Sequence, residues 1–276
     1  MSRIATRFTA LKAEGRGALI PFLEAYDPDE ATSTAILHGM PGAGADLIEI
    51  GMPFTDPMAD GPTIQAAGLR GLKAGATMAR TLAMVAGFRQ VDTETPVILM
   101  GYLNPILSYG PDRFCADAAA AGVDGLIVVD LPSEEADWLA GAAAANGLDI
   151  VRLVAPTTDD ARLPQVLTGS SGFVYYVSIA GITGTGTATK EHLAAAIPRV
   201  RAATSLPIAI GFGIRTPAQA AEAVAVADAV VVASALIDTL AASLDAEGRA
   251  APDSVQRVLD QVRGLADGVR GVKAVA

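Results

Sequence analysis

DLIEIGMPFTDPMADGPT, residues 46–63, opens as a buried strand and ends as a loop rich in proline, glycine and aspartate. Its apolar run is interrupted by one carboxylate, Glu49, and its loop carries a second, Asp60. The run belongs to a series. ALIPFL (18–23), DLIEIG (46–51), PVILMG (96–101), GLIVVD (125–130), DIVRLV (149–154), FVYYVS (173–178), PIAIGF (207–212) and DAVVVA (228–233) are all short and almost wholly apolar. Such runs read as strands buried on both faces, as in a parallel sheet. Alanine-rich helical stretches separate them. Eight β-α units in one chain predict a (β/α)8 TIM barrel, with a doubly wound open sheet as the structural alternative.

Helix signals agree. Pro132-Ser133-Glu134-Glu135 reads as a cap followed by an acidic first turn, and Asn146-Gly147 as the stop of that helix. Thr216-Pro217 reads as a helix start. Two additions extend the regular pattern: a helix over 2–14 that would cover the barrel floor, and a segment over 53–75 inserted after strand two. PGAGAD (41–46) reads as loop. No linker or repeat divides the chain, so one barrel domain over 1–276 is expected.

Composition narrows the function classes. Just over half of the 276 residues are hydrophobic, which excludes a disordered chain. A net charge of −10 disfavours nucleic acid and anionic membranes as partners. The N-terminus carries charges throughout, unlike a signal peptide, and no apolar run reaches the ~20 residues of a membrane span. A cytoplasmic protein is the expectation. Cys115, the one cysteine, falls in a helical stretch and reads as a small core residue.

An outward-facing Glu49 would be trapped against a helix, at a cost of several kcal/mol unless paired. Facing inward, it enters the rim where barrel active sites lie. Arg152, inside another strand run, is the partner that a purely structural Glu49 would need. Asp60 precedes a glycine and by itself is compatible with simple turn chemistry.

The later loops point to an anion. GITGTGTAT (181–189), GFGI (211–214) and ASAL (233–236) follow the last three strands, where barrels often bind phosphate. Their glycines bring backbone N–H groups close, and Ser234 at a helix start adds a hydroxyl and the dipole's positive end. Arg215 is the cation nearby.

Other chemistries are disfavoured. Lys12, Lys73, Lys190 and Lys273 avoid strands and their ends, where a Schiff-base lysine would sit. His38 and His192 fall in helices without a ligand set, and no dinucleotide fingerprint follows the first strand. Carboxylate proton transfer remains: Glu49 and Asp60, with Asp130 and Tyr175 at other strand ends.

DLIEIGMPFTDPMADGPTIQ, YLNPI (102–106), AGVDGLIVVDLP (121–132), Tyr175 with AGITG (180–184), and GFGI together resemble the tryptophan synthase α subunit family over nearly the whole chain. The resemblance implies cleavage of indole-3-glycerol phosphate to indole and glyceraldehyde 3-phosphate, a retro-aldol lyase reaction of tryptophan biosynthesis without metal or coenzyme. It implies Glu49 as acid/base and Asp60 as the group holding the indole N–H. Phe22, Tyr175 and Phe212 would pack around the substrate, Leu99 and Tyr102 would line the indole end, and Asp130 joins the substrate-binding set. Gly184, Gly213, Ile214 and Ser234 would hold phosphate.

The family also implies an α2β2 heterotetramer with a pyridoxal-phosphate-dependent β chain. Asp56, Pro57, Met58, Asn104, Pro105, Ile106 and Pro132 are the candidate interface, because apolar residues in exposed loops often mark one. Three features depart from the family pattern: Tyr26 stands where glycine precedes Asp-Pro, Ala233 where glycine precedes the serine, and HGMPGAGAD (38–46) is irregular. Two other classes fit less well. A phosphate-binding isomerase or epimerase would share the glycine loops but not DPMADGPTIQ. A non-catalytic activator of a partner would be expected to lose Glu49 or Asp60.

Overall fold

The computed structural model describes residues 2–177, 190–211 and 213–272, with side chains omitted at 190–192. Among the described residues nine parallel strands are formed: β1 Ala18–Glu24, β2 Ile48–Gly51, β3 Val97–Gly101, β4 Gly125–Val128, β5 Asp149–Ile150, β6 Arg152–Val154, β7 Val174–Val177, β8 Ile208–Gly211 and β9 Ala229–Val232. Their order is β5-β4-β3-β2-β1-β9-β8-β7-β6. Only Val151 separates β5 from β6, so the chain itself closes the ring. The expected fifth strand, 149–154, is thus divided. Its ladder changes partner at Val151, from β4 (Leu126↔Ile150) to β7 (Arg152↔Val174). The architecture is a (β/α)8 barrel, and the doubly wound alternative is set aside because β1 pairs with β9 as well as β2.

The helices are α1 Arg3–Glu14, α2 Glu30–Ala43, α3 Pro62–Lys73, α4 Met78–Phe88, α5 Leu103–Tyr109, α6 Pro111–Ala121, α7 Ala140–Ala145, α8 Leu163–Val166, α9 Lys190–Ala203, α10 Pro217–Val224, α11 Ser234–Ala241 and α12 Ser254–Arg270. The Thr216 start is a full capping box with Gln219. At Ser133 the expected cap is absent. Residues Ser133–Trp138 form a 3-10 turn, and the Ser133 hydroxyl donates to Glu134 instead. The segment expected to be loop after 41 is partly helical: α2 runs through Pro41 to Ala43 and stops at Gly44, in the left-handed region at φ 108°.

Strand alternation creates two cores. Ile20, Leu47, Ile98, Ile127, Val151 and Phe173 fill the lumen, closed below by Ile4, Phe8 and Leu11 of α1, as expected for the floor helix. Ile48, Ile50, Leu99, Leu126 and Val230 face outward into the helix layer. Cys115 is buried in that layer.

Carboxylates at the strand N-terminal ends are satisfied. Asp46 accepts from the Leu19 amide at 2.9 Å and from Arg16 at 2.9 and 3.0 Å, and Arg7 also reaches it. Asp124 takes Val97 N–H, Arg3 and Arg89, and Asp228 takes Ile208 N–H and Arg201. The floor acids therefore hold strands together.

Candidate active site

At the opposite, C-terminal rim, Glu49 is not satisfied in this way. Glu49 lies on the lumen face of β2, in register with Phe22 of β1 and Ile98 of β3. It is 0% exposed, and among the described residues neither carboxyl oxygen has a hydrogen-bond partner. Arg152, the one structural partner the sequence offered, donates to the Leu131 carbonyl at 2.9 Å instead. Burial without compensation raises the Glu49 pKa to about 8. A carboxyl in that state carries a proton at neutral pH and can surrender it to a substrate.

Asp60 sits in the loop that β2 feeds into α3. Turn bonds from Met58 N–H to Asp56 O and from Asp60 N–H to Pro57 O fold this loop, and the Gln65 side chain of α3 clips it at the Asp60 carbonyl at 2.8 Å. Asp60 is buried, and Tyr102 donates to its Oδ2 at 3.0 Å. Burial pushes Asp60 up to about 6, while the Tyr102 bond pulls the other way. The two carboxyls thus differ in charge at neutral pH, Glu49 protonated and Asp60 largely ionised.

Phe22, Asp60 and Tyr102 line one pocket with Met100, Gly51 and Gly68. Phe54 stacks on Tyr102 at 5.3 Å between ring centroids. Tyr175 is buried in the lumen, and its hydroxyl occupies the space a side chain at Gly211 would need, since a Cβ there would stand 2.1 Å away. Burial, then the Glu49 charge, holds the Tyr175 phenol well above its usual range.

Several expected site residues lie elsewhere. Leu99 faces the helix layer, because it shares the outward parity of Ile48 and Ile50. The β3 residues at the pocket are Met100 and Gly101. Asp130 is exposed and accepts from the Leu103 amide at the start of α5, so its carboxylate caps a helix. Gly184 and Phe212 lie outside the described residues. Gly213 is in the left-handed region at φ 77°, which favours glycine, with Ile214 buried beside it. Ser234 is the first residue of α11, directly after its N-cap Ala233. Ala233 has φ −117°, which any residue adopts, so its methyl imposes no backbone strain. A groove of about 490 Å³ at the barrel floor, beside Phe8, Leu11 and Pro207, lies at the end opposite these acids.

The candidate interface also divides. Met58 is 71% exposed, and Asp56, Asn104 and Pro132 are exposed as well, whereas Pro57 and Pro105 are half-buried. Ile106 is buried in the outer core, because residues 103–109 form α5 rather than an open loop and turn Ile106 inward. It is not available to a partner.

Sequence reasoning missed Glu24. Ending the first strand at Leu23 left it in a loop. β1 includes it, and the alternation Ile20, Phe22, Glu24 that placed Glu49 would have placed it too.

Comparison with known proteins gives one answer. The family model for the tryptophan synthase alpha chain matches residues 8–269. The chain is 71% identical to the tryptophan synthase alpha chain of Granulibacter bethesdensis, covering 100% of this chain and 99% of that one. It is also 71% identical to that of Gluconacetobacter diazotrophicus, over 99% and 100% of the two chains. Among solved structures, the tryptophan synthase subunit alpha from Legionella pneumophila superposes with a TM-score of 0.90 at 38% identity, over 99% of this chain and 100% of that one. A structure of Mycobacterium tuberculosis tryptophan synthase gives 0.86 at 37%, over 98% of each. The chain belongs to the tryptophan synthase alpha chain family.

Proposed function

We propose that Glu49 and Asp60 carry the chemistry of the family's reaction: the chain cleaves indole-3-glycerol phosphate to indole and glyceraldehyde 3-phosphate in tryptophan biosynthesis. The observation that supports these roles is the fully buried Glu49, without a hydrogen-bond partner among the described residues, at the rim beside a pocket that holds Asp60. Protonated Glu49 gives its proton to indole C3. Positive charge then develops at the ring nitrogen, and the Asp60 carboxylate, holding the N–H, stabilises it in a water-poor site. The Glu49 carboxylate next takes the proton of the adjacent hydroxyl. The C–C bond breaks, its electron pair returns to the ring, and the hydroxyl carbon leaves as the aldehyde. Glu49 ends protonated, so the cycle closes without an external acid.

The rest of the reading follows from placement. Phe22, Tyr102 and Met100 enclose the indole, and Tyr175 backs the lumen. Gly213, Ile214 and Ser234 bind phosphate through amides and a hydroxyl, with Gly184 assigned there by resemblance. Asp56, Pro57, Met58, Asn104, Pro105 and Pro132 meet the β chain of an α2β2 assembly. Residues 1–276 form one barrel domain, supported by a single strand order around the ring. Among the described residues no helix is long and apolar enough to cross a membrane, which fits a cytoplasmic setting. The test is indole formation from indole-3-glycerol phosphate, with and without a tryptophan synthase β chain. Absence of indole in both conditions overturns the reading.

A further inference from the structure

The pocket holds a third carboxyl. Glu24 ends β1 opposite Gly51, two residues beyond the Phe22–Glu49 pair. It is 5% exposed and lines the same pocket as Asp60. Gly51 makes room for it: a Cβ there would stand 2.2 Å from Glu24 Oε2. Among the described residues no side chain or amide hydrogen-bonds to this carboxyl. A buried carboxylate in that state would be costly, so the group stays neutral.

Its surroundings reinforce this. Burial raises the Glu24 pKa first, then the charges of Asp60 and Asp27, and only Arg70 of α3 opposes them. Arg70 is already engaged on both Asp27 oxygens, at 2.6 and 2.8 Å. From β2, the acid nearest in register is Glu49, itself protonated at neutral pH. Around Glu24, α2, α11 and α12 present Ile36, Met40, Leu236, Ile237, Leu240 and Val258, all apolar, and the Ser33 hydroxyl of α2 donates to the Glu24 backbone carbonyl at 3.5 Å rather than to its carboxyl.

We propose that Glu24 is a positioning residue of the substrate pocket: as the neutral companion of Asp60, it holds that end of the site at a single negative charge, so that an anionic substrate is admitted while Asp60 is ionised. The inference rests on the functional reading above. Once ionised, Glu24 would place a second carboxylate beside Asp60 and act against a phosphate-bearing substrate.

The experiment follows KM and kcat separately for indole formation by the complex with the β chain, from pH 7 to 9.5. The wild-type KM should rise by about fivefold or more, the scale of one added charge at an intermediate effective dielectric. Glu24→Gln, which cannot ionise, should abolish that rise, and Glu24→Asp should restore it. The fall in kcat from Glu49 ionisation should appear in all three. A parallel KM rise in Glu24→Gln overturns the proposal. Carbon-13 NMR of side-chain-labelled glutamate, assigned with Glu24→Gln, decides the charge state without reference to turnover. Glu24 should be neutral at pH 7, and its midpoint should fall in Asp60→Asn. An ionised Glu24 at pH 7 overturns the proposal even if no indole forms, whereas a neutral Glu24 in a protein that forms no indole refutes only the functional reading.

Discussion

The Tyr102 hydroxyl donates to Asp60 Oδ2 at 3.0 Å and accepts from the Ala59 amide, also at 3.0 Å. One phenol at the end of β3 therefore fixes both the charge and the backbone of the loop that β2 delivers. Asp60 is raised by burial and lowered by this bond. Tyr102→Phe removes the lowering cause, so Asp60 should stay protonated to higher pH. The acid limb of kcat/KM should move up by about one pH unit, the scale of a hydrogen bond to a charged group. A pH–rate profile of indole formation checks this, and an unmoved limb would mean that Asp60 ionisation does not govern activity.

Glu49→Gln should separate activity from stability. Turnover should fall by at least about 10²-fold, in the range of general acid–base contributions. Stability should move the other way. An acid raised from 4.5 to about 8 is neutral in the fold but ionises in the unfolded chain. Wild-type stability is therefore unaffected below about 4.5 and declines as pH rises towards 8. At pH 7 the cost is roughly 3 kcal/mol. Glu49→Gln avoids it, so its denaturation midpoint should exceed the wild type's at pH 7 and converge with it near pH 4.5. Equal midpoints at pH 7 would contradict a buried, uncompensated Glu49.

What the sequence made legible, and what it hid, follows one physical line. A carboxylate within an apolar run is costly anywhere but the rim, so Glu49 was readable from composition and periodicity together. Leu99 and Met100 differ by one residue, and a one-residue shift exchanges the faces of a strand. Motif resemblance does not settle that parity, whereas the register with Glu49 and Ile50 does. Ile106 looked exposed because NPI reads as a loop, and only α5 turns it inward. Asp130 became a helix cap through a contact with Leu103, 27 positions away in sequence, beyond the reach of any local pattern.

Tyr26 is the non-glycine residue at positive φ among the described residues, at 67°, which gives a physical reason for glycine at this place in the family pattern. Left-handed backbone costs a β-carbon-bearing residue about 1–2 kcal/mol. Tyr26 offsets this through burial, a bond to Glu30 at 3.2 Å, and the Arg80 guanidinium 4.7 Å above its ring. Removing a buried aromatic ring costs about 3–5 kcal/mol. Tyr26→Gly should therefore destabilise by about 2 kcal/mol net, despite relieving the backbone, and lower Tm by roughly 5 °C. A stability gain by thermal denaturation would show that strain outweighs packing here.

Phosphate binding should depend on the start of α11. Ser234→Asp would set a carboxylate against a dianion at the helix's positive end. Affinity for glycerol 3-phosphate, measured by calorimetry, should fall by at least about tenfold, the scale of a like charge at close range. Asp60→Asn removes a charge at the other end of the site, so it should move that affinity far less than Ser234→Asp does, while turnover collapses. Unchanged affinity in Ser234→Asp would place the phosphate elsewhere.

Partner docking should act through the same loop that carries Asp60. Met58 stands 71% exposed two residues before it, with Asn104 exposed at the start of α5. A solvated methionine gains nothing from exposure, and a β chain that covered it would also order the Asp56–Asp60 turns. Such a partner activates only by its differential affinity for the ordered loop. Met58→Asp places a charge on the face to be buried without touching the pocket lining. Stimulation of indole formation by the β chain should fall by about tenfold, the equivalent of about 1.4 kcal/mol. The basal rate without the β chain should stay within about twofold, as for a surface substitution worth under about 0.5 kcal/mol. If stimulation survives Met58→Asp combined with Asn104→Asp, the docking surface lies elsewhere on the rim. If instead the basal rate falls in step with the stimulated one, Met58 shapes the Asp60 loop from within and the exposed face is not the route by which a partner acts.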